Sequence, residues 1–308
     1  MKTSEFCPTK MNLKPRIYIS APVDKNLSSG QLKLKQSILH LLQTDGLDPQ
    51  EFHVSGLAAN QSWSFERSID VMRRCHGALI LAFSQWHDTS RTPPVVMPTE
   101  YNHFEGALGI SLQKEILIIK DEAVAFRGIT NSGGGEFILS IPNTPTPAWL
   151  KSNEFQKQYS GWKDRIQRRH HVFFGYCGGA TDTANRIIRY LQSIDVTVRD
   201  WQMDFRPAGT ILDEIEEASR MCIGGIFLFS KDDELISGDA VHASPRDNVV
   251  FEAGFFMHAM GRQRCLIIRE GGAKMPADVG GGIYLSLPDR TNTSTIETAL
   301  RRFIETRI

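Results

Sequence analysis

Glu252 stands where an acidic side chain is uncommon. Between an N-cap at Asp247 or Asn248 and a stop at Gly261, the spacing predicts a helix. Val249, Val250, Phe251, Ala253, Phe255, Phe256, Met257, Ala259 and Met260 cover nearly every face of it. A helix apolar all round is a buried helix, so the one acid inside it must emerge at a cleft or be paired. Burial raises the pKa of such a carboxyl, while the nearby helix N-terminus favours its anion. Asn248 lies one turn earlier on the same face, placed to orient it. That is an active-site constellation, and a carboxylate so placed stabilises developing positive charge or attacks it. The competing reading is a structural glutamate bonded to an arginine or a backbone N–H, because structural pairs perturb carboxylates too.

A second glutamate occupies the same place in the first half of the chain. Glu105 is flanked by Asn102 and His103, and Glu100 makes that surface more polar, so an ordinary exposed residue is the alternative there. The surrounding sequence is repeated as well. Arg16-Ile17-Tyr18-Ile19-Ser20 reads like His171-Val172-Phe173-Phe174-Gly175, and each is followed by an amphipathic stretch, Leu32 to Leu42 and Ala184 to Ile194. The run from Arg73 to Ser84 parallels Ser219 to Ser230, and each ends in a polar turn. Asn102 to Gly109 then matches Val249 to Phe256 after a gap of one residue, and Ile116 to Lys120 matches Cys265 to Arg269.

Strands alternating with helices predict an α/β fold class: two related flavodoxin-like domains, each a parallel sheet flanked by helices. In such sheets ligands bind beyond the carboxyl ends of the strands. The expected boundaries are an N-terminal tail over 1–14, a first domain over 15–125, a linker over 126–169 and a second domain over 170–308. The linker assignment rests on Gly133-Gly134-Gly135, then Pro142, Pro145 and Pro147. Its last part, Phe155 to His170, reads as a short basic helix whose Lys163, Arg165, Arg168 and Arg169 form a solvated face rather than a phosphate site.

Composition narrows the classes. Hydrophobic residues at 41% and charged residues at 23% describe a soluble globular chain. Lys+Arg and Asp+Glu are both 35, and this balance argues against a dedicated nucleic-acid binder. No apolar run resembles a signal peptide or is long enough to cross a bilayer. The five cysteines show no Cys-x-x-Cys spacing, which predicts neither a zinc site nor a disulfide framework and points to the cytoplasm. Nine histidines without ligand spacing predict no metal.

Weaker candidates complete the site. Gly175, Gly178 and Gly179 follow the first strand of the second half, as a phosphate-cradling loop requires, but their spacing is neither a Rossmann nor a P-loop fingerprint. A tight turn is the alternative. Tyr176 lies in that loop. Trp201 and Phe205 precede Pro207-Ala208-Gly209-Thr210, where a helix starts; they stack on a base or cap the core.

These residues together carry a resemblance. Val172-Phe173-Phe174, Gly209-Thr210-Ile211-Leu212, the run from Gly225 to Glu234, Pro245-Arg246-Asp247-Asn248-Val249-Val250-Phe251-Glu252-Ala253-Gly254, Gly261-Arg262, Met275-Pro276-Ala277-Asp278 and Gly282-Ile283-Tyr284 resemble bacterial TIR-like effector domains. The type is that of CBASS and Pycsar antiphage systems, and the resemblance runs from about Val172 to Leu287. It implies NAD+ as substrate rather than cofactor, with Glu252 as the catalytic residue of its hydrolysis. It also implies nucleotide contact by Thr210 and the loop at Gly175 and Tyr176, and activation by self-association into oligomers. The loop departs from the family's usual small-His-Gly pattern. Phe104-Glu105-Gly106-Ala107-Leu108-Gly109 is similar to the helix that bears the nucleophilic glutamate of nucleoside 2-deoxyribosyltransferases, and to divergent TIR domains. Two alternatives to an NAD+ glycohydrolase therefore stand: an N-glycosidase centred on Glu105, and a nucleotide-sensing module without turnover.

Overall fold

A computed structural model describes residues 10–52, 54–131, 137–142, 146–204, 210–237, 240–276 and 284–308. The chain divides into two compact units, Lys14–Arg169 and His170–Ile308, the latter joined by the chain's N-terminal segment.

The first unit runs β1 (Arg16–Ser20), α1 (Ser29–Thr44), β2 (Asp48–Glu51), α2 (Phe65–Arg73), β3 (Gly77–Ala82), a hairpin of β4 (Trp86–Asp88) and β5 (Val95–Met97), α3 (Glu100–Ser111), β6 (Glu115–Asp121), β7 (Phe137–Ile141) and α4 (Asn153–Gln167). Its parallel sheet has the order β2-β1-β3-β6-β7. The central strands are buried on both faces, which is why they read as unbroken apolar runs rather than alternating ones. Helix starts follow local chemistry. The Ser28 hydroxyl accepts from the Gln31 amide while the Gln31 side chain accepts from that of Ser28, and Ser64, Thr99 and Ser152 cap α2, α3 and α4.

The second unit repeats the plan. It runs β8 (His170–Gly175), α5 (Thr181–Ser193), β9 (Val198–Asp200), α6 (Trp201–Asp204), α7 (Ile211–Met221), β10 (Cys222–Phe229), a hairpin of β11 (Asp233–Ser237) and β12 (Ala240–Ser244), α8 (Asp247–Met260), β13 (Cys265–Glu270), β14 (Tyr284–Leu287) and α9 (Ser294–Arg307). The sheet order is β9-β8-β10-β13-β14, again parallel, so the chain reverses its direction of growth between β8 and β10. Two α/β domains with parallel five-stranded sheets are thus present.

Strand register sets the repeat more closely than the sequence did. Ile17 pairs Gly77 in one sheet and Val172 pairs Gly224 in the other. The two glycines have the same surroundings. A Cβ on Gly77 would lie 2.2 Å from Ile166 Cδ1 and 2.7 Å from the Glu115 carbonyl oxygen; on Gly224, 2.3 Å from Ile308 Cδ1 and 2.6 Å from the Arg264 carbonyl oxygen. Equating them aligns Glu105 with Glu252 without the expected gap, and it aligns Tyr18 with Phe173 and Ser20 with Gly175. The strand ends agree. The Lys120 ammonium donates to the carbonyl of Val124 at 3.0 Å, and the Arg269 guanidinium to that of Ala273 at 2.6 Å, four residues on in each case.

The expected linker is corrected by this comparison. Within 126–169, β7 is the fifth strand of the first sheet and α4 its closing helix, with Phe155, Tyr159, Trp162 and Ile166 buried in the core. The basic residues there are anchors: Lys163 pairs Asp45, Arg165 pairs Glu115, and Arg169 donates to the carbonyls of His76 and Gln113. The tail is corrected as well. Met11 and Leu13 pack on the second domain's core, and the Met11 amide donates to the Ile194 carbonyl at 3.3 Å. Both polar turns lead into antiparallel hairpins.

Candidate functional site

Gly175 ends β8 and pairs Phe227 on β10, at the carboxyl edge of the sheet and at the point where strand order reverses. Open parallel sheets form their ligand crevice there. Helix α8 lays Val249, Glu252, Ala253, Phe256 and Met260 against the sheet. The Phe256 ring stacks on Phe173 at 4.7 Å and meets Phe227 edge-on at 5.4 Å. One turn before Phe256, the Glu252 carboxylate reaches Gly175, where a Cβ would stand only 2.7 Å from its Oε2.

That oxygen is buried and has no hydrogen-bond partner among the described residues, and the residue is 8% exposed. Burial alone raises its pKa, from 4.5 to about 7. An unpaired carboxylate under an apolar wall costs free energy, and such a cost is characteristic of sites that meet a ligand. Among the described residues no arginine pairs with Glu252.

Tyr176 follows Gly175 and meets Trp201. Their rings lie 5.8 Å apart, and the Tyr176 hydroxyl donates to Asp200 at 3.0 Å. The Trp201 indole N–H is buried without a partner among the described residues. Asn248 does not join Glu252. It lies in the first turn of α8 with an exposed side chain and makes no bond to Glu252; Arg246 is the N-cap, without a side-chain capping bond, and its guanidinium pairs with Asp233. Nor is α8 buried all round, since Phe251, Gly254, His258 and Ala259 face solvent. Gly261, at φ 90°, does end it. The Thr210 hydroxyl is engaged in capping α7, accepting from the Asp213 amide at 3.2 Å and donating to the Asp213 carboxylate at 2.7 Å. Phe205 lies outside the described residues.

Glu105 is buried too, against expectation, but it is bonded. The Tyr18 hydroxyl donates to its Oε1 at 2.5 Å and the Trp63 indole N–H at 3.3 Å. Trp63, Phe65, Tyr101 and Phe104 form an edge-to-face cluster nearby, with Phe65 and Tyr101 exposed.

Sequence reasoning missed a supporting network. Glu270, at the end of β13, accepts from the Lys231 amide at 3.0 Å and from the Arg290 guanidinium at 2.8 Å through Nε, with a second, 2.5 Å bond from Nη2. Burial opposes its charge, but Arg290 and the Lys231 amide outweigh burial and hold its pKa below the ordinary glutamate value. Asp121 does the same in the first domain, accepting from the Ser84 amide at 2.6 Å and from Gln31 at 2.8 Å. The signal was available: an acid follows the basic strand end in both repeats. Among the described residues no cluster could hold a metal, and Cys75, Cys177, Cys222 and Cys265 are free and buried.

Sheet order and flanking helices make the second unit a doubly wound α/β domain with a buried helix glutamate at its strand-order reversal. The family described as CAP12/Pycsar effector protein, TIR domain, matches residues 171–289. The C-terminal half therefore carries a TIR domain of the CBASS/Pycsar effector type. The chain is 32% identical over 129 residues to CD-NTase-associated protein 12 of Lachnospiraceae bacterium (strain RUG226), covering 42% of this chain and 40% of that protein. It is 44% identical over 81 residues to the protein of the same name from Flavobacterium daejeonense, 26% of each chain. It is 37% identical over 79 residues to the Pycsar effector protein BcPycTIR of Burkholderia cepacia, 25% of this chain and 26% of that one. The chain thus spans 40% or less of the length of these relatives. No helix among the described residues is long and apolar enough to cross a membrane.

Proposed function

We propose that this protein is an antiphage effector whose TIR domain cleaves the nicotinamide–ribose bond of NAD+, with Glu252 as the catalytic residue. The observation that carries the reading is the buried, unpartnered carboxylate oxygen at the strand-order reversal. In this reaction the bond from C1′ to the nicotinamide nitrogen breaks and its electron pair leaves with the base. Nicotinamide departs neutral, so no strong general acid is needed. The ribose carries oxocarbenium charge in the transition state, which a carboxylate beneath the ring stabilises or captures. Water then adds at C1′ and loses a proton.

Because burial raises the Glu252 pKa to about 7, protonated and charged forms coexist near neutral pH in the free protein. The cationic nicotinamide ring of bound NAD+ favours the anion, so substrate itself charges the catalytic group. The apolar wall of Phe173, Phe227 and Phe256 keeps the charge poorly solvated until then.

The test is nicotinamide release from NAD+ by purified protein at high concentration, where self-association is favoured, beside Glu252→Ala and Glu105→Ala. Activity lost only in Glu252→Ala supports the reading. Full NAD+ consumption by Glu252→Ala would remove Glu252 from the chemistry.

A further inference from the structure

We infer that Gly175 is a positioning residue: its missing side chain seats the Glu252 carboxylate. This deepens the Glu252 reading and rests on it.

Glycine is not needed at this place for backbone freedom, because Gly175 is not among the residues with positive φ. It is needed for space. A Cβ would come within 2.7 Å of both Glu252 Oε2 and Phe227 Cδ1. The other loop glycines lack that constraint: a Cβ on Gly178 meets nothing within 4 Å, and one on Gly179 lies 3.2 Å from Asp232 Oδ1. Of the glycine-rich run, then, the one that must lack a side chain is the one under the carboxylate. This is a different role from cradling phosphate.

The first domain shows the alternative. Ser20 occupies the Gly175 register, pairing Ile80 as Gly175 pairs Phe227. Its hydroxyl accepts from the Asn102 side chain at 2.8 Å, so that seat is filled. Glu105 bonds instead to Tyr18 and Trp63. At the equivalent register the first domain is thus filled, and its glutamate is held by a hydroxyl and an indole from other positions.

Gly175→Ala is expected to displace the carboxylate and lower NAD+ turnover about 100-fold, the effect of misplacing a reacting group by about an ångström. Aspartate is one methylene shorter. Glu252→Asp is therefore expected to slow the parent protein yet to speed the Gly175→Ala variant. Phe227→Leu in the Gly175→Ala background should not restore turnover; rescue by Phe227→Leu and not by Glu252→Asp would overturn the inference, since the clash would then be with the ring. A readout independent of NAD+ is the Glu252 carboxyl titration in 13C-glutamate-labelled protein. Gly175→Ala should move it down toward the ordinary carboxylate range as the group leaves its buried seat. An unchanged titration overturns the seat even where turnover falls, and a shifted one upholds it even if the parent protein proves inactive on NAD+. Should Gly175→Ala fail to fold, the pair with Glu252→Ala decides: restored folding supports the seat, and persistent misfolding overturns it.

Discussion

The Tyr18 hydroxyl donates to Glu105 Oε1 at 2.5 Å, and the residue in Tyr18's register in the second domain is Phe173, which has no hydroxyl to give. That hydroxyl, with the Trp63 indole, is one difference between two buried glutamates on equivalent helices. Removing Glu105 should leave NAD+ turnover unchanged, because its neighbours belong to a different site. It should cost the first domain about 1–3 kcal/mol, since the buried Tyr18 hydroxyl loses its acceptor. Urea unfolding of Glu105→Ala beside Tyr18→Phe measures this, and the second change should be the milder one.

Glu252 should destabilise the fold it serves. Its unfolded value is 4.5 and its folded value about 7, so between them the folded state holds the extra proton. Stability then falls as pH rises through that window, by about 3 kcal/mol, and stays level above it. Glu252→Gln escapes the penalty. Its gain over the parent protein should be near zero at about pH 4 and about 3 kcal/mol at about pH 8. A variant no more stable at the higher pH would contradict the buried, unpaired carboxylate.

Turnover should follow the same group. If the anion is the working form, kcat/KM rises about tenfold per pH unit on the acid side of about 7 and levels off above it. A profile flat from about pH 5 to about pH 8 would mean that Glu252 titrates elsewhere or is not needed as the anion.

Gly77 and Gly224 should be interchangeable in what they tolerate. Alanine at either drives a methyl into an isoleucine and a carbonyl, which costs about 1–3 kcal/mol. Ile166→Ala should recover part of the loss for Gly77→Ala and none for Gly224→Ala; Ile308→Ala should do the reverse. Crossed rescue would mean the two notches are not equivalent.

Glu270 should matter from the other side of the pH scale. Its folded value lies below its unfolded one, so its contribution is present above the ordinary glutamate value and is lost as pH falls through the folded one. Glu270→Gln should cost about 2–3 kcal/mol at neutral pH, discounted from a fully buried pair because Arg290 is partly exposed. Thermal melts of the variant and the parent protein at several pH values should converge in acid.

The repeat was legible because its members are held by register. Strands buried on both faces and a helix packed against them allow little substitution, so Ile17, Val172, Glu105 and Glu252 remain recognisable. The closing helix of the first domain was legible as a short helix but not as part of the core, although Phe155, Tyr159, Trp162 and Ile166 are spaced for one buried stripe. Glycines and prolines upstream, and a polar outer face, masked that stripe as a connector. Asn248 misled for a geometric reason: residues one turn apart share a helix face, but the first turn stands in solvent while Glu252 is over the sheet. The openness of Glu252 was not readable either, since it depends on Phe173 and Gly175, which are far away in sequence.

The chain's path through the second unit has a practical consequence. Met11 and Leu13 belong to that unit's core, so the backbone leaves it at Leu13, builds the whole first domain and returns at His170. Topologically the first domain is an insertion, and cutting before His170 does not release an intact second domain. Such a fragment lacks the amide that meets the Ile194 carbonyl and the side chains that cover the core beside it. Weakened activity in that fragment would report an unsealed edge before it reported any loss of control by its neighbour.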